Sequence, residues 1–103
     1  MMFAFSVAGV PIRLTKERIA HIVKGHPELS ERQHEILEAV NSPQAVQKGE
    51  AGSLLAVKKF HKTPVTENKY LVVAYKELSS ADGFVLTAYY STDLKRRMII
   101  WKN

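Results

Sequence analysis

Apolar residues recur at helical spacing in two short segments of the first half of the chain. Ile19, Ile22 and Val23 occupy positions i, i+3 and i+4, so they form one apolar stripe of a predicted helix. Thr15 can cap the amides of the first turn through its hydroxyl, and a Gly and a Pro follow the last residues. The pattern therefore predicts a helix over residues 15–24.

A second predicted helix follows a capping-box sequence, in which a serine and a residue three positions later bond to each other's free backbone amides. Ser30 and Gln33 have this spacing. Ile36, Leu37 and Val40 then continue with helical spacing, and an Asn-Ser-Pro sequence ends the segment. Both helices are short, so each needs a partner surface to be stable.

The period of the apolar positions changes to two after Gly52, where β-branched and aromatic residues lie between turn signals. Three strands are predicted at residues 53–61, 69–78 and 84–92. A loop over residues 62–68 joins the first two, and residues 79–83 form a hairpin link in which Gly83 can take a positive φ. Residues 98–101 are a predicted fourth strand, and the apolar residues 1–10 also indicate a strand.

This order of elements predicts an α+β fold, with two N-terminal helices packed on one face of a four-stranded antiparallel sheet. A hydrophobic content of 46% is enough for the core of one domain spanning residues 1–103. Thr87, Tyr89 and Ser91 alternate with more apolar residues in the third strand. We expect these three side chains to point to the open face of the sheet.

The charge of the chain narrows the choice of partner. Lys and Arg number 15 against 10 Asp and Glu, a formal net charge of +5 at pH 7. This balance favours a polyanion over a neutral metabolite. The chain has no cysteine, which excludes disulfides and thiolate zinc sites. The apolar runs are too short to cross a bilayer, so we expect a cytoplasmic protein without a membrane partner.

Two histidines near the first predicted helix are candidates for proton transfer. His21 lies about 200° around the helix from Ile19, on the wetter face, and His26 follows the helix. They are five positions apart, which is not the spacing of two metal ligands on one helical face, so neither a metal nor another cofactor is expected. The alternative is structural: His21 faces solvent, and His26 helps to end the helix.

Cations and aromatic rings lie together at the end of the third predicted strand. Lys95, Arg96 and Arg97 follow Tyr89 and Ser91, a combination suited to phosphates and stacked bases of single-stranded RNA. Lys59 in a neighbouring strand extends the patch. The alternative is a solvated strand edge, where Lys commonly prevents aggregation.

Several short motifs occur in an order more specific than any one of them: Arg13-Leu14-Thr15-x-x-Arg18-x-x-His21-Ile22, His26-Pro27-Glu28, Tyr70-Leu71-Val72-Val73 and Gly83-Phe84-Val85-Leu86-Thr87-Ala88-Tyr89. Together they resemble the phage-associated branch of the superfamily named after barnase, EndoU, colicin nucleases and RelE. The resemblance covers about residues 11–101, nearly the whole chain.

This resemblance implies helices followed by a four-stranded antiparallel sheet, and a metal-independent ribonuclease that often serves as a toxin in conflict systems. The positions it marks as functional are His21, His26, Thr87, Tyr89 and the run 95–97. Relatives often have Arg at the position of His26, which leaves phosphate binding open for this residue.

Our leading hypothesis is an endoribonuclease in which the 2′-hydroxyl of RNA attacks the adjacent phosphate. His21 and His26 would then be base and acid, Lys95 and Arg97 would stabilise the phosphorane, and Tyr89 would stack on a base. Two other hypotheses stay open. One is a non-catalytic RNA- or DNA-binding module, and the other is an interaction protein whose sheet edge pairs with a cognate antitoxin or immunity protein.

Overall fold

The computed structural model describes residues 2–62 and 67–103, which form one mixed sheet and two α-helices. The helices are α1 (Lys16–Gly25) and α2 (Gln33–Asn41), with a 3-10 turn at Pro27–Leu29 between them. The strands are β1 (Met2–Phe5), β2 (Pro11–Leu14), β3 (Ala45–Lys48), β4 (Leu54–Lys62), β5 (Glu67–Ser79), β6 (Asp82–Ser91) and β7 (Ile99–Lys102).

The predicted four-stranded antiparallel sheet with two N-terminal helices is wrong. The sheet has seven strands in the order β1-β2-β6-β5-β4-β3-β7, and β2 pairs with β6 in parallel. The hairpin β1–β2 precedes both helices and extends one side of the sheet, while β3 and β7 extend the other side. The central antiparallel part, β4-β5-β6, corresponds to the three strands predicted from alternation.

The predicted fourth strand exists as β7, but it lies far from β6. It pairs with β3, where Val46 opposes Trp101 and Gln47 opposes Ile99. Because β6 is third and β7 is last in the sheet, residues 92–98 must cross β5, β4 and β3 to connect them. This crossing segment shapes the candidate site. Most of the predicted loop over residues 62–68 lies outside the described residues.

The first helix begins as predicted, whereas the second does not. The Thr15 hydroxyl accepts a hydrogen bond from the Arg18 amide at 3.1 Å and caps α1. Helix α2 begins at Gln33, and Arg32 occupies its N-cap position without a side-chain cap. The preceding Glu31 has a φ of 61°, so the chain turns through the left-handed region after Ser30. The Ser30 capping box is therefore not formed.

Alternation along the central strands divides the sheet into two apolar faces. One face packs against both helices, with buried residues such as Ile22, Ile36, Leu71 and Val73 in a single core. The other face has a smaller cluster at Leu55, Val57, Val72 and Ala74. We call the side of the sheet with this smaller cluster the second face.

A register shift in β6 changes the face of one predicted residue. Ala74 pairs with Thr87 and Tyr75 pairs with Val85, so Leu86 is an extra residue between them. The alternation predicts that Leu86 points with Ala88 toward the helices. Instead, Leu86 packs against the cluster on the second face, where Tyr89 also packs.

Two tyrosines anchor the helical face of the sheet. Tyr75 is fully buried, and burial raises the pKa of its hydroxyl, which has no hydrogen-bond partner among the described residues. The Tyr90 hydroxyl donates to a Glu35 carboxylate oxygen at 3.3 Å and so connects β6 with α2. Burial and the Glu35 charge raise the pKa of Tyr90 to about 12.

Gly83 serves a different purpose from the one expected of a hairpin glycine. It lies inside β6, between Ile12 of β2 and Glu77 of β5, and the described glycines with positive φ are Gly9 and Gly52. A Cβ at this position would collide with the Lys76 carbonyl oxygen and would lie 2.6 Å from the Ile12 Cδ1. Close approach of neighbouring strands therefore requires glycine here.

Replacing Gly83 by Ala is expected to destabilise the fold by about 1–3 kcal/mol, because the neighbouring strands must move apart. Urea denaturation followed by circular dichroism measures the change. Gly25→Ala is the matched control, since a Cβ at Gly25 meets nothing within 4 Å. Equal free energies of unfolding in the two variants would contradict this prediction and would show that β2 and β5 can move apart without loss of stability.

Candidate functional site

The crossing segment encloses a groove on the second face. One cavity of about 130 Å³ lies between the sheet and this segment, and its lining includes Leu55, Val72, Tyr89, Ser91, Lys95 and Arg97. An adjoining cavity of about 220 Å³ shares Leu55, Tyr89 and Arg97 with it and extends to Glu50 and Ser53. We call these two cavities together the Tyr89 groove.

Tyr89 is the aromatic wall of this groove. Its ring packs against the apolar cluster of the second face and is half-buried. The ring of His26 lies beside it, with 6.2 Å between the ring centroids and an angle of 34° between the ring planes. One imidazole is thereby placed next to the groove.

His26 lies beside Tyr89, outside the lining of the groove, because part of β6 has a free edge beside α1. Strand β2 pairs with β6 at Gly83 and Phe84, and the later residues of β6 lie beyond this pairing. The Arg18 side chain donates a hydrogen bond of 3.2 Å to the Leu86 carbonyl and thus fastens α1 to this edge. The end of α1 therefore lies close to the polar end of β6.

His26 ends α1 through its backbone and keeps its side chain beside Tyr89. Its backbone amide donates to the Ile22 carbonyl at 2.8 Å and ends α1, as the structural alternative predicts. Its side chain remains 39% exposed beside Tyr89, and its Nδ1 lies 3.8 Å from a Glu28 carboxylate oxygen. A protonated ring can form an ion pair with Glu28 at this distance. Ending the helix uses the backbone, so the imidazole is free for another role.

His21 lies in a different place from His26. It is exposed and lines an open cavity of about 330 Å³ together with Thr15, Glu17 and Arg18. It does not line either cavity of the Tyr89 groove. His21 therefore lines a cavity outside the groove, whereas His26 lies beside Tyr89 without lining either cavity of the groove.

The remaining predicted site residues divide between the groove and its surroundings. Ser91 is in the lining, and its hydroxyl donates to the Asp93 carbonyl. Thr87 is half-buried in β6, and Arg96 is exposed in the crossing segment, and neither lines the groove. Lys59 is also outside the groove, with its Nζ 5.7 Å from the centroid of the Tyr70 ring. Lys95 and Arg97 are thus the predicted cations that the structure brings to Tyr89.

Gln47 is a groove residue that the sequence reasoning missed. It is 7% exposed in β3, lines the first cavity, and donates from Nε2 to the Lys95 carbonyl at 3.4 Å. This contact attaches the crossing segment to the sheet. A strand of four residues gives too little alternation to be recognised, so the sequence offered no signal that Gln47 faces a cavity.

In the described parts of the chain, no three His, Asp or Glu side chains are grouped so that they could hold a metal ion. The helices found there are also too short or too polar to cross a membrane. Comparisons with protein-family profiles, curated proteins and solved structures found no match to this chain. A functional assignment therefore depends on the groove and on its side chains.

Proposed function

We propose that the protein is a metal-independent endoribonuclease that cleaves RNA at the Tyr89 groove. The observation that carries this proposal is the grouping of an aromatic ring, a hydroxyl and two cationic side chains in one groove lining, with an imidazole beside the aromatic ring. RNA supplies its own nucleophile, the 2′-hydroxyl, so a protein needs to supply proton transfer and charge stabilisation. The motif resemblance to the barnase, EndoU, colicin and RelE superfamily implies the same chemistry, although the four-stranded antiparallel sheet that it also implied is not observed.

The residues of the groove have complementary roles in this proposal. The Tyr89 ring stacks on a base, and Lys95 and Arg97 stabilise the charge that develops on the phosphate. His26 transfers a proton at the reacting phosphate or, like the Arg of its relatives, binds that phosphate. His21 and Thr87, which the resemblance also marks as functional, lie outside the groove lining and have no step in this proposal. The activity is placed in the cytoplasm, where a cognate antitoxin or immunity protein would control it.

A second candidate function is a binding module for RNA or DNA that does not cut. The position of His21 outside the groove lining favours this alternative, because the groove has one imidazole beside it where general acid–base catalysis commonly uses two groups. Affinity would then fall steeply with salt concentration, since phosphate contacts release counterions.

Incubation of the purified protein with end-labelled RNA in EDTA tests the proposal. We expect strand scission, with products that end in a 2′,3′-cyclic phosphate, because the attacking oxygen belongs to the RNA. A substrate with a 2′-deoxyribose at the cut site is the matched control and should remain intact. Salt-dependent binding of RNA without scission between pH 5 and 9 would contradict the nuclease proposal and support the binding module.

A further inference from the structure

Strand β7 leaves one edge of the sheet open to a partner. It is the last strand in the order, and no further strand pairs beyond it in the part of the chain that the structure describes. We propose that this edge binds an extended segment of another protein, which adds a strand to the sheet and has an apolar centre flanked by acidic residues. The proposal concerns protein binding, and it does not depend on whether the protein cleaves RNA.

Apolar side chains are exposed at this edge. Met98 is 66% exposed, and Ile99 and Ile100 are each 52% exposed. An open strand edge also presents unpaired backbone donors and acceptors, which can form the hydrogen bonds of an added strand. Exposed apolar residues beside such a backbone therefore favour docking of another strand at β7.

The opposite edge of the sheet is partly covered by the protein's own helix. Strand β1 also has exposed apolar residues, Phe3 and Phe5. However, Asn41 of α2 donates from Nδ2 to the Phe5 carbonyl at 3.0 Å, so the helix satisfies a backbone acceptor of β1. Among the described residues, no side chain bonds to the backbone of Ile99–Lys102 in this way. The edge at β7 is thus the more accessible of the two.

Cations flank the exposed apolar residues on both sides. Arg96 and Arg97 precede them in the chain, and Lys102 follows them. The paired strands β3 and β7 contain no acidic residue, and Asp93 is the acid nearest to β7 in the sequence. An added strand with carboxylates at both ends would place opposite charges near these cations, and its apolar centre would cover the apolar residues. This charge complementarity points to an acidic protein segment.

The same features argue against two other occupants. A second copy of this chain would pair two strands that both carry cations and no acid, and like charges destabilise paired strands. RNA would be attracted by the cations, but Met98, Ile99 and Ile100 have no aromatic ring on which a base can stack. The unpaired carbonyl oxygens of a strand edge also repel phosphates. An acidic protein strand uses the cations, the apolar side chains and the backbone together.

Fluorescence anisotropy with a labelled synthetic peptide tests the proposal. The peptide has valines in its centre and glutamates at both ends. Its matched control has the same sequence with N-methylated valines, which cannot donate backbone hydrogen bonds. We expect the unmodified peptide to bind at least about tenfold more tightly than the control, because hydrogen bonds between strands are lost in the control. Hydrogen exchange measured by mass spectrometry should slow in residues 99–102 and not in residues 2–5.

Two pairs of variants test the contacts at the edge. Lys102→Glu should weaken binding of the unmodified peptide about fivefold, because attraction becomes repulsion. Lys24→Glu makes the same change of net charge at an exposed position of α1 and should have little effect. Ile100→Ser should weaken binding about fivefold through the loss of apolar contact. Leu78→Ser is its matched control, since Leu78 is 59% exposed at the end of β5.

Four results would overturn the proposal. Equal binding of the two peptides, or equal losses in Lys102→Glu and Lys24→Glu, would leave a general attraction between charges as the cause. Slower exchange in residues 2–5 instead of 99–102 would transfer the docking site to β1. Slower exchange in residues 99–102 with a 2′-O-methylated RNA, or on self-association without peptide, would identify RNA or a second copy as the occupant. Failure of the unmodified peptide to bind would also contradict the proposal.

Discussion

The His26→Ala variant is expected to cleave RNA about 10²- to 10⁴-fold more slowly than the wild type, the range for losing a general acid or base. The imidazole of His26 lies beside the Tyr89 ring at the groove that we assign to RNA. Its helix-ending hydrogen bond uses the backbone amide, which alanine retains, so α1 should stay intact. Initial rates in EDTA measure the effect, and circular dichroism checks the fold.

His21→Ala is the comparison that distinguishes the two histidines. The sequence predicted that His21 is base or acid, whereas the structure places it at the cavity of Thr15, Glu17 and Arg18. We expect a smaller loss for His21→Ala than for His26→Ala. An inactive His21→Ala variant together with an active His26→Ala variant would contradict this order. The reacting phosphate would then be assigned to the cavity of Thr15, Glu17 and Arg18. Comparable large losses in both variants would restore the two-histidine mechanism.

His26→Arg separates proton transfer from phosphate binding. Arginine stays protonated near neutral pH but can form charge-assisted hydrogen bonds with a phosphate. If His26 transfers a proton, the arginine variant should be nearly as slow as His26→Ala. Recovery of most of the wild-type rate would assign His26 to phosphate binding.

Strong periodicity made the central elements predictable. Helix α1 combines a three-residue apolar stripe with a capping hydroxyl, and β4 to β6 are each nine or more residues long and rich in β-branched and aromatic residues. The shorter strands carry much less information. In β3, Val46 and Gln47 are both buried, so the four-residue segment shows no alternation. The Ser30 sequence fits a capping box, but a left-handed turn at Glu31 moves the helix start to Gln33.

The order of the strands in the sheet could not be predicted from local sequence patterns. The parallel pairing of β2 with β6 joins Ile12 to Gly83, and the pairing of β3 with β7 joins Val46 to Trp101. Each pair is distant in the chain, and its energy depends on which side chains share a face after folding. The predicted meander therefore put β7 next to β6. The observed crossing of residues 92–98, which creates the groove, follows from the true order.

The part of the candidate site that comes from one stretch of the chain could be predicted, and the part that depends on strand order could not. Tyr89, Ser91, Lys95 and Arg97 are near one another in the chain, at and after the end of a strand that was predicted. Gln47 joins them through a pairing distant in the chain, so its role emerged only with the fold. Lys59 lies in β4, which β5 separates from β6, and its side chain lies over the Tyr70 ring instead of at the groove.

The adjacent residues Arg96 and Arg97 allow the role of position to be separated from the role of charge. Arg97 is half-buried and lines both cavities of the groove, whereas Arg96 is exposed and lines neither. Arg97→Gln is expected to lower the cleavage rate about 10²- to 10³-fold, because a preorganised donor next to the developing phosphorane charge is lost. Arg96→Gln removes the same charge from the same segment and should change the rate only slightly.

Measuring both variants at two salt concentrations completes the comparison. Each substitution removes one cation, so a general attraction between a basic protein and RNA would weaken equally in both and would be largely screened at the higher salt. The loss in Arg97→Gln should instead persist at the higher salt, since a half-buried guanidinium that touches the reacting phosphate is less screened than an exposed one. Equal losses of cleavage rate in the two variants, both disappearing at the higher salt, would contradict the assignment. Lys95, Arg96 and Arg97 would then attract RNA only as a general basic patch, and Arg97 would not be a catalytic cation of the groove.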